Sequence, residues 1–75
     1  MDKLTAMRAF MTVADQGSFA AAARQLGLSR SQLNRQVLWL EDHLQVTLFN
    51  RTTRRVSLTH TGQAYLENIV PLLDN

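Results

Sequence analysis

Arginine supplies most of the functional chemistry in this 75-residue sequence: seven of its eight cationic side chains are Arg, and the eighth is Lys3. The guanidinium is planar, permanently charged and forked, which suits it to phosphates and to base edges. These cations are unevenly placed. Residues 24–55 carry Arg24, Arg30, Arg35, Arg51, Arg54 and Arg55 against Glu41 and Asp42, a net of +4. Residues 1–23 balance Lys3 and Arg8 against Asp2 and Asp15, and residues 56–75 hold only Glu67 and Asp74, a net of −2. Ser31, Gln32 and Asn34, all able to hydrogen-bond a base or a phosphate, lie between Arg30 and Arg35. On charge alone the commoner reading of such a segment is a solvated face, with a polyanionic partner as the sharper one.

Other chemistry finds little material. The sequence has no cysteine, which removes disulfides, thiolate metal sites and cysteine nucleophiles together. His43 and His60 lack the partners and spacing of a zinc site. Glu41 and Asp42 are adjacent, so on a helix they point about 100° apart and make a poor acid–base pair. A surface pairing of Glu41 with an arginine, worth about 0–1 kcal/mol, is the expected use of that carboxylate. No glycine-rich phosphate loop occurs, and the three glycines read as punctuation between elements. The sequence therefore predicts neither an enzyme nor a resident metal or cofactor. No apolar run approaches the roughly 18 residues of a membrane span, and Asp2 and Asp15 among the first apolar residues do not read as a signal peptide. The cytoplasm is the compartment this predicts, with no membrane partner.

The elements that must position these arginines follow from periodicity and caps. Leu4, Met7, Met11 and Ala14, with Phe10 and Val13 beside them, repeat at helical spacing until Gln16-Gly17. Ser18 caps a short second helix through Phe19, four alanines and Leu26, ended by Gly27. Ser29 opens a third, where Ser29-Arg30-Ser31-Gln32 fits a capping box. In that helix Leu33, Val37, Leu40 and Leu44 form the inner stripe, which puts Ser31 and Arg35 outside and Asn34 on a flank. Trp39 reads as flank packing, toward the following hairpin. That hairpin is predicted from Leu48, Phe49, Val56 and Leu58, with a basic tip over residues 51–55. Thr59 caps a last helix with Tyr65, Leu66, Ile69, Val70, Leu72 and Leu73 along one stripe. Pro71 interrupts the stripe, predicting a helix that is sound to about Val70 and bent or frayed beyond.

Two helices joined by Gly27-Leu28-Ser29 make a helix-turn-helix, and the basic hairpin adds a wing. The fold class is thus mostly α: a winged helix-turn-helix of three helices and a two-stranded wing, with a further helix behind it. Gly17-Ser18-Phe19-x-x-Ala22-Ala23-x-x-Leu26, Leu28-Ser29, Arg35-Gln36-Val37-x-x-Leu40-Glu41, Leu48-Phe49-x-Arg51 and Leu58-Thr59-x-x-Gly62 together resemble the DNA-binding part of LysR-type transcriptional regulators. The resemblance covers essentially the whole chain. It implies a DNA-binding unit over residues 1–58 and the start of a linker helix over residues 59–75 that pairs two subunits. It also implies a pseudo-palindromic duplex operator, a homodimer that assembles further in the full-length protein, and a small-molecule effector bound by a separate domain outside this sequence.

Position by position, the resemblance carries Arg30, Ser31, Asn34 and Arg35 to the major groove, Arg54 to the minor groove and Ser18 to a phosphate. Arg55, Arg51 and Gln32 complete the expected DNA-facing set, although Gln32 is first explained by its capping box. Arg35 suits guanine or a phosphate, Asn34 suits adenine or a local backbone bond, and Arg54 and Arg55 suit a narrowed minor groove or phosphates. Tyr65, Leu66, Ile69, Val70 and Leu73 are the expected dimer interface. The sequence departs from the family pattern at Gln32, Asn34 and Gln45, where alanine or proline, serine, and glycine are usual. Gln45 is therefore predicted to sit in the strained left-handed conformation, or else the helix ends differently. A winged-helix protein-interaction or dimerisation module without DNA binding is the alternative, for which Leu38 beside Trp39 is the one apolar hint. A purely structural helical dimer explains the last helix but not the wing.

Overall fold

The computed structural model describes residues 1–51 and 56–73. Four helices, α1 (Lys3–Gln16), α2 (Phe19–Leu26), α3 (Arg30–Leu44) and α4 (His60–Leu73), enclose one core, with strands β1 (Phe49–Arg51) and β2 (Val56–Leu58) between α3 and α4. The three leading helices each start on a side-chain cap: Asp2 accepts from the Thr5 amide, Ser18 from Ala21 and Ser29 from Gln32. The Ser29–Gln32 capping box is complete in both directions, at 3.1 and 2.9 Å. Each of these helices ends on a left-handed residue: Gly17 at φ 69°, Gly27 at φ 70° and Gln45 at φ 57°. The first two carry no steric penalty because they lack a Cβ. Gln45 does carry one, and its side chain donates to the Asp42 carbonyl at 2.6 Å, tying the turn down locally.

The buried face of α1 is Ala6, Ala9, Phe10 and Val13, which rotates the helix away from the expected Leu4–Met7–Met11–Ala14 stripe. Leu4 is 43% exposed, and Met7, Met11 and Ala14 lie at the margin. The small alanines let α1 approach its neighbours closely, so Phe10 and Val13 rather than the longer methionines fill the centre. In α3 the buried residues are Leu33, Val37 and Leu40, with Leu44 half-buried at the end of the stripe. Trp39 packs at the edge of the core, and its ring stacks on His43 one turn along the same helix, at 4.9 Å between centroids.

The two strands pair antiparallel with Phe49 opposite Leu58, Asn50 opposite Ser57 and Arg51 opposite Val56. Strand alternation puts Arg51 on the same face as Phe49, the face turned toward the helices. Phe49 meets the Phe10 ring at 5.2 Å and the Phe19 ring at 5.9 Å, so α1, α2 and the hairpin share one aromatic contact.

The start of α4 is bolted to the residues before β1. Thr59 donates from its amide to the Leu48 carbonyl at 3.0 Å and from its hydroxyl to the Thr47 carbonyl at 2.6 Å. The same hydroxyl oxygen accepts from the Gly62 amide at 2.8 Å, which is the predicted cap. Gly62 is not punctuation: it is helical and buried, and a Cβ there would stand 2.1 Å from the Leu48 oxygen. Only a residue without a side chain permits that approach. Beyond Val70, where a bend or fraying is expected, α4 continues through Pro71 to Leu73 without a stop. Proline removes one amide but its φ is helical, and Leu72 and Leu73 keep theirs, so a proline this close to the end does not stop the helix.

Candidate nucleic-acid interface

The N-terminal end of α3 and the hairpin meet across an open cleft of about 520 Å³ lined by Phe19, Arg30, Ser31, Asn34, Arg51 and Val56. Helical spacing explains how α3 contributes three of these: Arg30 and Asn34 are one turn apart, and Ser31 is three residues before Asn34. Arg35 is four residues beyond Ser31 on the same outer face, and both are exposed. The capping box holds this end of the helix in place while leaving those side chains outside.

An ion pair organises the wall of the cleft. Arg51 and Glu41 are joined at 3.3 Å. The other carboxylate oxygen of Glu41 accepts from the backbone amides of Leu48 and Phe49 at 2.7 and 3.3 Å. With its side chain only 11% exposed, Glu41 does more than the expected surface pairing. It holds the strand entrance against α3. Arg51 also lies over the Phe19 ring, 4.9 Å from its centroid, and donates to the Asn34 side-chain oxygen. The guanidinium is thus fixed on three sides, by an anion, an aromatic face and an amide.

The other expected DNA-facing residues divide by what they already do. Ser18 is half-buried, and its oxygen caps α2 at 3.2 Å. The carbonyl oxygen of the Gln32 side chain is taken by the Ser29 amide, as the capping box predicts. Arg54 and Arg55 lie outside the described residues, as do Thr52 and Thr53. What sequence reasoning missed is the Asn34–Arg51 bond. The two residues stand 17 positions apart, and no local pattern signals their meeting.

On the opposite side, α4 presents a mixed surface. Ile69, expected in a dimer interface, is 3% exposed and belongs to the chain's own core. Tyr65 is half-buried, and its ring lies 5.6 Å from that of Phe10. Its hydroxyl oxygen is buried without a hydrogen-bond partner among the described residues, and desolvation raises its pKa above the ordinary tyrosine value. Leu66 and Val70 face a groove shared with Met11 and Ala14 of α1. The Leu73 side chain lies outside what the structure describes.

Known proteins share this arrangement. The family model described as "Bacterial regulatory helix-turn-helix protein, lysR family" matches residues 4–63. The chain is 53% identical over 73 residues to an HTH-type transcriptional repressor of Pseudomonas aeruginosa, covering 97% of this chain and 23% of that protein. It is 48% identical over 67 residues to the HTH-type transcriptional activator AaeR of Escherichia coli, covering 89% of this chain and 22% of that protein. Among solved structures, the BenM DBD in its complex with benA site 1 DNA superposes with a TM-score of 0.91 at 32% identity, over all of this chain and 83% of that one. The chain spans under a quarter of the length of these curated relatives. It belongs to the LysR family of bacterial regulatory helix-turn-helix proteins.

Proposed function

We propose that this chain binds double-stranded DNA sequence-specifically as part of a transcriptional regulator, with α3 in the major groove and the hairpin at the adjacent minor groove. The observation that carries the reading is the cleft itself: Arg30, Ser31 and Asn34 from the start of α3 converge with Arg51 of the hairpin on one open surface. That is the geometry a recognition helix and a wing need to straddle a duplex backbone. Arg30, Ser31, Asn34 and Arg35 are the base-reading candidates, Ser18 is a phosphate contact, Gln32 and Arg51 flank that set, and Arg54 and Arg55 serve the minor groove or its phosphates. The relatives point the same way, one a repressor and one an activator by name, and a neighbouring structure is a DNA complex. Their regulatory names support regulation of transcription rather than catalysis here.

Two chains would pair through α4 about a pseudo-palindromic site, with residues 1–58 as the DNA-binding unit and residues 59–75 beginning the linker. The groove between α1 and α4, with Leu66 and Val70 on its wall, supports that side as the dimer surface. Higher assembly and effector response are assigned to a domain beyond this chain.

Selection on random duplex DNA followed by titration tests the reading. Arg35→Ala should weaken binding by about 1–3 kcal/mol and relax preference at one base pair per half-site. Arg54→Ala should weaken all sequences evenly and flatten the salt dependence. Unchanged affinity after joint replacement of Arg30, Arg35 and Arg54 by alanine would leave a protein-interaction module as the better account.

A further inference from the structure

Asn34 stands where the resembling family commonly has serine, and its side chain is not free to choose how it meets a base. We propose, resting on the DNA-binding reading above, that Arg51 is a positioning residue that turns Asn34 into a hydrogen-bond donor and so selects guanine rather than adenine.

A guanidinium has donors and no acceptor, so the Asn34 atom that meets Arg51 must be the amide oxygen. That assignment follows from hydrogen-bond chemistry, which is what decides the orientation of an asparagine amide. With Oδ1 turned to Arg51 on β1, Nδ2, the other arm of the same planar amide, is the donor that Asn34 still offers to the cleft it lines with Arg30 and Ser31. Arg51 cannot readily give way, because Glu41 holds it at 3.3 Å and the Phe19 ring supports its face. Glu41 is itself anchored by the Leu48 and Phe49 amides.

The usual pairing of asparagine with adenine needs both halves of the amide, Oδ1 accepting from N6 and Nδ2 donating to N7. Arg51 takes one of the two lone pairs of Oδ1 and sets a cation beside the other, which disfavours the approach of the N6 donor. Guanine offers two neighbouring acceptors, N7 and O6, and needs only the donor that remains. Glu41 balances the charge of Arg51, and two of the Arg51 donors are spent on Asn34 and Glu41. On this proposal its influence on base choice passes through Asn34, and the salt dependence separates that from a phosphate contact by its remaining donors.

Parallel selections on random duplex DNA with the wild-type chain, Asn34→Ala, Arg51→Met and the double variant test this. The wild-type chain should favour a G·C over an A·T pair by about tenfold at one position per half-site, and that position is identified by its flattening in Asn34→Ala. Arg51→Met should flatten the same position, the double variant should flatten it no further, and the salt dependence should stay that of the wild type. Asn34→Asp, which keeps the oxygen on Arg51 but has no donor, should lose the guanine preference with the fold intact, and this arm stands even if Arg51→Met fails to fold. An A·T preference at that pair overturns the inference. So does an Arg51→Met chain whose base preferences are intact while all affinities fall and the salt dependence flattens, the signature of a direct phosphate contact. Guanine preference persisting in Asn34→Asp overturns it equally. A wild-type chain that selects no duplex sequence overturns the DNA-binding reading, and this inference with it.

Discussion

The Gly62–Leu48 junction and the Arg51–Asn34 cleft are both contacts between elements distant in sequence, yet they are built oppositely. At the junction, backbone meets backbone with no room for a methyl group, and Thr59 ties two carbonyls in the same place. At the cleft, side chains meet across an open surface, joined by charge-assisted hydrogen bonds and a ring face. The first arrangement fixes where α4 leaves the domain and tolerates no added atom. The second holds its side chains in place through other side chains, so a change there leaves the backbone where it is. Glu41 belongs to both, since one oxygen holds the Leu48 and Phe49 amides and the other holds Arg51.

If that contrast is right, changes at the junction should unfold the chain and changes in the cleft should spare it. Gly62→Ala should have the largest effect. Its methyl group would collide with a backbone oxygen rather than a flexible side chain, and overpacking of that kind costs about 3 kcal/mol, or enough to unfold a small domain. Chemical denaturation measures it, and a loss under about 1 kcal/mol would show that α4 can shift aside.

Glu41→Ala tests the shared residue. It strands two backbone amides and removes the partner of Arg51, for an expected loss of about 2–3 kcal/mol. Asn34→Ala, confined to the cleft, should change stability by under about 0.5 kcal/mol. Equal losses from the two would dissolve the distinction between the regions.

Smaller effects sharpen the account elsewhere. Gln45→Gly relieves a left-handed residue, worth about 1–2 kcal/mol, and forfeits an exposed side-chain bond of about 0.5 kcal/mol and some chain entropy. A net gain of up to about 1 kcal/mol should appear as a rise of a few degrees in Tm. An unchanged or lower Tm would show that the bond to Asp42 fully offsets the strain.

Tyr65→Phe removes a buried hydroxyl without a described partner, so stability at neutral pH should hold or rise slightly. Burial raises the folded pKa of Tyr65, so above pH 10 the unfolded chain releases its proton first and stability falls as pH rises. The phenylalanine variant should lack that part of the alkaline loss, which melting between pH 9 and about 11 would reveal. Identical alkaline profiles would mean that the hydroxyl reaches solvent on the folded chain.

Much of this molecule is determined within four or five residues, and that part is legible in the sequence. The Ser18, Ser29 and Thr59 caps, the Ser29–Gln32 box, the glycine stops at Gly17 and Gly27 and the hairpin follow from local hydrogen bonding and backbone sterics, whereas the left-handed Gln45 is legible only through the family resemblance. The basic face of α3 follows from helical periodicity. Tertiary structure decided the rest, because those interactions join positions that no local pattern relates. It chose Ala6, Ala9, Phe10 and Val13 as the inner face of α1 by how closely the other helices approach. It drew Ile69 into the core, carried α4 past Pro71, and made a spacer of Gly62. It also set Arg51 against Asn34, since only the strand pairing and the Glu41 anchor bring that guanidinium back to α3. Caps and turns bond to near neighbours along the chain and are encoded there, whereas close approach depends on where whole elements come to rest.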